Sequence, residues 1–123
     1  MNRMIIGAGA LLGATAVMLG AFGAHALQGM LTPQAAGWWD TAVQYQLAHA
    51  LALLLVAALP VRRPGVAAWC MGAGAVIFSG TLYAMALGAP RWLGAVTPVG
   101  GVLMILGWLL LGWGALSGKA QHR

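Results

Sequence analysis

Four predominantly apolar runs without Asp, Glu, Lys or Arg, each about as long as a bilayer is thick, constrain this chain more than any other feature. A helix needs about 20 apolar residues to cross the hydrocarbon. The runs cover residues 4–26, 41–59, 66–87 and 98–116, the second ending before Pro60. They predict an all-α membrane protein, a four-transmembrane-helix bundle that makes one domain of residues 1–123. Charge content agrees: 6% of residues are charged and 62% hydrophobic, where soluble domains carry about 25% charged residues. A soluble fold this short has too little interior to hide so much apolar surface.

The first run imitates a secretory signal, because Asn2-Arg3 precedes it and Ala24-His25-Ala26 fits an A-x-A cleavage site. It exceeds the roughly 7–15 apolar residues of such a signal, so it is expected to stay as the first span. The net charge of +5 comes from six basic residues and one acid. Arg3, Arg62, Arg63, Arg91, Lys119 and Arg123 are scattered between apolar runs. They form no stripe with interleaved aromatics, which argues against nucleic acid as a partner. All but Arg91 fall on one side of a four-span arrangement, and that side is predicted to be cytoplasmic. Both termini and the link between spans two and three are then inside, and the lipid bilayer is the principal partner. Trp38, Trp39 and Trp92 are expected at the outer interface and Trp69 and Trp113 at the inner one, with Trp108 deeper in the packing.

Thr97-Pro98 reads as a capping hydroxyl before a proline at the first helical position, and Thr32-Pro33 repeats the device. A short helical turn is therefore expected before span two, with Gly37 bending it into the membrane. Glycine is abundant, with 19 in the chain. In lipid, small residues let helix backbones approach closely. Gly9, Gly13 and Gly20 share one face of span one, and Gly80, Ala84 and Gly88 one face of span three. Gly100, Gly107, Gly114 and Gly118 mark a seam on span four. These faces are expected to pack within the bundle; a homo-oligomer or a partner membrane protein is their alternative use.

Polar side chains are unevenly distributed in depth. At 1.5 Å per residue, His49 lies roughly 16 Å below Trp38, near the midplane. Gln44, Tyr45 and Gln46 lie above it. Ser79, Thr81 and Tyr83 fall in the outer half of span three, with His25 and Gln28 at the end of span one and Thr97 at the start of span four. The inner halves are apolar but for Thr15 near the middle of span one and Cys70, a lone thiol expected to be inert. Polar groups in lipid usually face an interior or a watered cavity. An outward-facing polar pocket is therefore expected, lined by Tyr45, Gln46, His49, Ser79 and Tyr83, with His25 at its mouth. Tyr45, Gln46 and His49 share a face of span two, and Ser79 and Tyr83 a face of span three.

His49 is expected to be neutral and hydrogen-bonded to Tyr83, Ser79 or a backbone carbonyl. A ligand-binding or proton-handling role competes with that reading. A metal or haem site using His25 and His49 is less favoured, since no HxxxH or CxxC spacing supports it; no cofactor is expected. Asp40 is expected to stabilise the start of the second helix, or else to pair with Arg91. There is no GxSxG, carboxylate pair, Walker loop or HExxH, so an enzyme is not expected.

Four segments carry a family resemblance. They are Gly20-Ala21-Phe22-Gly23-Ala24-His25-Ala26-Leu27; Tyr45-Gln46 followed by His49-Ala50-Leu51; Phe78-Ser79-Gly80-Thr81-Leu82-Tyr83; and Thr97-Pro98-Val99-Gly100-Gly101 followed by Gly107-Trp108. Together they resemble the YgdD/YwdK-like small bacterial membrane proteins, domain of unknown function 423, over essentially the whole chain. The resemblance implies a four-span inner-membrane protein and supplies no activity, substrate or catalytic residue. The function expected is then to bind, sense or pass a small solute or lipid-like molecule. The competing reading is an accessory or assembly subunit of a larger membrane complex.

Overall fold

A computed structural model describes residues 2–117, so Gly118, Lys119 and Arg123 lie outside the described residues. It contains α1 (Asn2–His25), α2 (Pro33–Ala58), α3 (Pro64–Ala86), a short 3-10 helix (Arg91–Ala95) and α4 (Thr97–Leu116). All four long helices are apolar and long enough to cross a membrane. Bulky apolar side chains at mid-helix point outward, among them Leu11, Val17, Leu51, Val76, Ile105 and Leu109. That inside-out distribution suits a lipid solvent.

The second helix starts eight residues before the expected span. Thr32 caps it, its hydroxyl accepting from the Ala35 amide at 3.1 Å, and Pro33 follows in the first turn. The helix then runs unbroken through Gly37 to Ala58, 26 residues in all, and Gly37 does not interrupt it. Asp40 therefore sits well inside the helix, exposed, rather than at its start. At Thr97 the capping expectation also fails. Val96 is already helical, so the 3-10 helix feeds directly into α4 and no side-chain cap forms. α3 ends where Gly88 takes φ 110°, a conformation that favours glycine, and returns Ala89 N to Ala84 O at 2.9 Å.

The helices pack chiefly as sequence neighbours: α1 on α2, α2 on α3, α3 on α4. α2 and α3 form the middle of the row, and α1 and α4 make no packed interface with each other. The Asn2 amide donates to Ala57 O, placing the start of α1 beside the end of α2. The Arg62/Arg63 link lies at that same end, and Asp40 and Arg91 belong to the other. The Arg62 end is apolar inside, with Ile5, Ala52, Leu53, Val56, Ala68 and Met71 in one buried cluster.

Close approach between backbones sets the row. A methyl group at Gly100 would lie 2.5 Å from Phe78 N and 2.6 Å from Gly74 O. Gly107 lies against Met71, Gly114 against Arg62 O, and Gly9 against Ala50 O. Gly13 and Gly20 touch Ala50 and Val43 more loosely. Gly80 does not pack within the chain: a methyl there would meet nothing within 4 Å. The faces of α3 that meet its neighbours run through Ser79 towards α2 and through Gly74 and Phe78 towards α4, leaving Gly80 outside both.

Candidate functional site

Several polar side chains in the half towards Arg91, among them Gln46, Ser79, Thr81 and Tyr83, are cross-links between helices. Gln46, 5% exposed, is the hub. Its Nε2 donates to Leu12 O at 3.0 Å and to Thr15 Oγ1 at 2.6 Å, and its Oε1 accepts from the Tyr83 hydroxyl at 2.7 Å. The amide orientation is fixed because a carbonyl can only accept. Thr15 passes its own proton back to Leu11 O at 2.9 Å. One side chain thus ties α1, α2 and α3 together.

Trp39 completes this junction. It is packed inside the bundle, 3% exposed, and its indole N–H donates to Leu19 O at 2.9 Å. Its ring meets Tyr83 edge-on at 4.7 Å. Space for it exists because residue 23 is glycine; a methyl there would lie 2.6 Å from Trp39 Cδ1. Ser79, 2% exposed, donates to Ala42 O at 2.7 Å, joining α3 to α2. Thr81 and Thr97 share a hydroxyl–hydroxyl bond of 2.6 Å, joining α3 to α4.

His49 faces α4. Its Nδ1 lies 2.8 Å from Tyr45 O, one turn back on its own helix, and its Nε2 lies 3.0 Å from Trp108 Nε1. Of the expected partners the backbone carbonyl is the one found, and Tyr83 and Ser79 are engaged elsewhere. His25 ends α1, exposed, whereas both ring nitrogens of His49 are engaged by Tyr45 and Trp108, so the two do not share a ligand site. Among the described residues, no three His, Cys, Asp or Glu side chains converge as metal ligands. Every buried side-chain polar atom among them has a partner. The expected pocket lining is thus a set of satisfied internal bonds. Tyr45 is the exception in exposure: it is 43% exposed, and its ring lies 4.7 Å from Phe78.

Open space lies beside that set. A groove of about 530 Å³ runs between α2, α3, the 3-10 helix and the start of α4. Trp38, Phe78, Leu82 and Met85 wall it, Gly94 and Pro98 close one side, and Arg91 and Thr97 are its polar lining. Arg91 does not pair with Asp40. Its Nη2 donates to Gln34 Oε1 at 2.6 Å, and its guanidinium sits over Trp38, 5.8 Å from the ring centre. Charge placement alone offers Arg91 only Asp40 as a partner, and the groove depends on a helix crossing that residue spacing does not give. Proximity of Arg91 to Trp92 and Thr97 in sequence was the available signal.

Relatives match most of this chain's length. It is 45% identical over 112 residues to UPF0382 membrane protein SERP0230 of Staphylococcus epidermidis, covering 89% of this chain and 92% of the relative. It is 42% identical over 114 residues to UPF0382 membrane protein YwdK of Bacillus subtilis, covering 89% and 93%. With UPF0382 inner membrane protein YgdD of Escherichia coli it shares 39% over 126 residues, covering 98% and 95%. No solved structure matches the chain. The family described as "Protein of unknown function (DUF423)" matches residues 19–101, a segment that contains Gln46, Tyr83, His49 and the groove residues but not Leu12 and Thr15, the α1 partners of Gln46. The chain therefore belongs to the DUF423 family and is an integral protein of the bacterial inner membrane.

Proposed function

We propose that this is a non-enzymatic membrane protein that binds a small lipid-like amphiphile, anionic at one end, in the groove at its Arg91 end. The observation that carries the reading is the groove itself: apolar walls with one guanidinium at the rim, positioned by Gln34 and Trp38. Arg91 has further N–H donors beyond the one given to Gln34, and a carboxylate or phosphate suits their fork. The positive-inside expectation makes this the outward end. The buried polar set frames the groove, since Ser79 and Phe78 are adjacent on α3 and Tyr45 backs Phe78.

The test is photolabelling in nanodiscs with a fatty acid carrying a diazirine on its chain. Label is expected on Phe78, Leu82 and Met85, and is expected to fall in Arg91→Gln. Label spread evenly over outward residues such as Leu11, Val76 and Leu109, and unchanged in Arg91→Gln, would overturn the proposal.

A second reading, an accessory subunit, draws on Gly7, Gly80 and Gly112. These are exposed helix positions where a methyl group would meet nothing within 4 Å, and such positions admit a partner helix. Affinity purification in mild detergent that yields no stoichiometric membrane partner counts against it.

A further inference from the structure

The opposite end of the molecule holds a second cavity, of about 290 Å³, between the α2–α3 link and the last turns of α4. Its polar lining includes Arg62, Arg63 and Ser117, and its apolar walls include Val66, Leu110 and Trp113. The link is stiff. Pro60 and Pro64 bracket it, and Val61 is buried beneath it. α4 approaches so closely that a methyl at Gly114 would lie 2.8 Å from Arg62 O. The two arginines are therefore held beside the helix end rather than on a loose loop.

Two further facts concern these arginines. Arg63 takes φ 50°, ψ 52°, the only positive φ outside glycine among the described residues. That conformation is costly for a side chain with a Cβ, and no cap bond from Arg63 offsets it. The chain's single acidic side chain, Asp40, belongs to the other end. No acidic side chain of this protein is placed to neutralise the pair. A guanidinium pair at the mouth of an apolar cleft, at the end of spanning helices and beside an exposed Trp113, matches a lipid headgroup at the membrane boundary. Phosphate would take bidentate bonds from the guanidiniums, and Val66 and Leu110 would line the path of the acyl chains.

We propose that this cleft binds the phosphate of an anionic phospholipid through Arg62 and Arg63. The site is separate from the Arg91 groove, and the two readings stand or fall independently.

The test is native mass spectrometry of the full chain in mild detergent, titrated with phosphatidylglycerol, with phosphatidylcholine, or with inorganic phosphate. Retained phosphatidylglycerol is expected to exceed phosphatidylcholine, and Arg62→Lys/Arg63→Lys is expected to reduce it roughly tenfold. That double variant keeps the charge that sets topology. Arg63→Gly serves as the folding control, because glycine accepts the positive φ; it is expected to melt no lower than wild type and still to lose phosphatidylglycerol. Equal retention of both lipids, or retention unchanged in both link variants, overturns the proposal. Displacement of phosphatidylglycerol by low-millimolar inorganic phosphate would assign the cleft to a soluble anion and also overturn it.

Discussion

The indole N–H of Trp108 donates to Nε2 of His49 over 3.0 Å, across the gap between α4 and α2. An indole can only donate, so Nε2 carries no proton. The Tyr45 carbonyl can only accept, so Nδ1 carries the proton that bridges their 2.8 Å. The imidazole is neutral, in one tautomer, with both nitrogens occupied. His49→Ala is therefore expected to lower stability while leaving label capture in the groove intact. Trp108→Phe and His49→Leu, combined in a double-mutant cycle, should couple by about 0.6 kcal/mol and by no more than about 1.7 kcal/mol, the average and the largest value for hydrogen bonds between membrane helices. An Nε2 chemical shift typical of a protonated nitrogen would contradict the assignment.

Gln46 joins three helices, so its loss should exceed that of any single partner. Gln46→Leu is expected to cost about 1–3 kcal/mol, because it strands the Tyr83 hydroxyl and the Leu12 carbonyl side of the junction. Tyr83→Phe should cost about 1 kcal/mol. The double variant should cost less than the two together, since both remove one shared bond. Reversible unfolding in bicelles measures all three. Strict additivity would mean that the Gln46–Tyr83 bond contributes nothing.

Glycines on the two faces of α3 and α4 should respond in opposite ways. Gly100→Ala places a methyl 2.5 Å from the Phe78 backbone, and helices forced apart here are expected to lose at least about 1–3 kcal/mol, as in overpacked cores. Gly80→Ala meets open space and gains helix propensity, so it should be neutral or stabilising by up to about 1 kcal/mol. Thermal melts of the two variants in one detergent make the comparison.

Asp40 is exposed, and Arg91 is bonded to Gln34 instead. Asp40→Asn should therefore change stability by no more than about 0.5 kcal/mol. Gln34→Ala should loosen Arg91 and weaken photolabelling of the groove. A large loss on Asp40→Asn, reversed by salt, would restore the ion pair that the geometry lacks.

What sequence made legible was whatever depends on solvent and period. Lipid as solvent follows from four apolar runs, and the glycine faces of α1 and α4 follow from steps of three and four. Gly74, the partner of Gly100, escaped notice because it sits in a run of small residues with no distinctive spacing. For Trp39, depth alone cannot tell an anchoring indole from one that finds a carbonyl across a glycine gap. Residue spacing groups the polar residues of the outer half but does not give their use. Sequence shows that a polar side chain lies in the membrane, and only the crossing of helices shows whether its partners are already supplied. Gln46, Ser79 and Tyr83 turned out to be supplied. Arg91, outside the expected set, lines the open groove.

The neighbour-to-neighbour row has a consequence for how the chain is made. Each helix finds its main contact surface on the one synthesised just before it, and α1 and α4 never need each other. The first hairpin can zip through Gly9, Gln46 and Trp39 as soon as α2 has entered the bilayer, before α4 is translated. Assembly of this kind closes only short loops, which keeps its entropic cost small and its rate high. A molecule built in that order needs no late rearrangement, and truncation after α3 should leave α1–α3 assembled around Gln46.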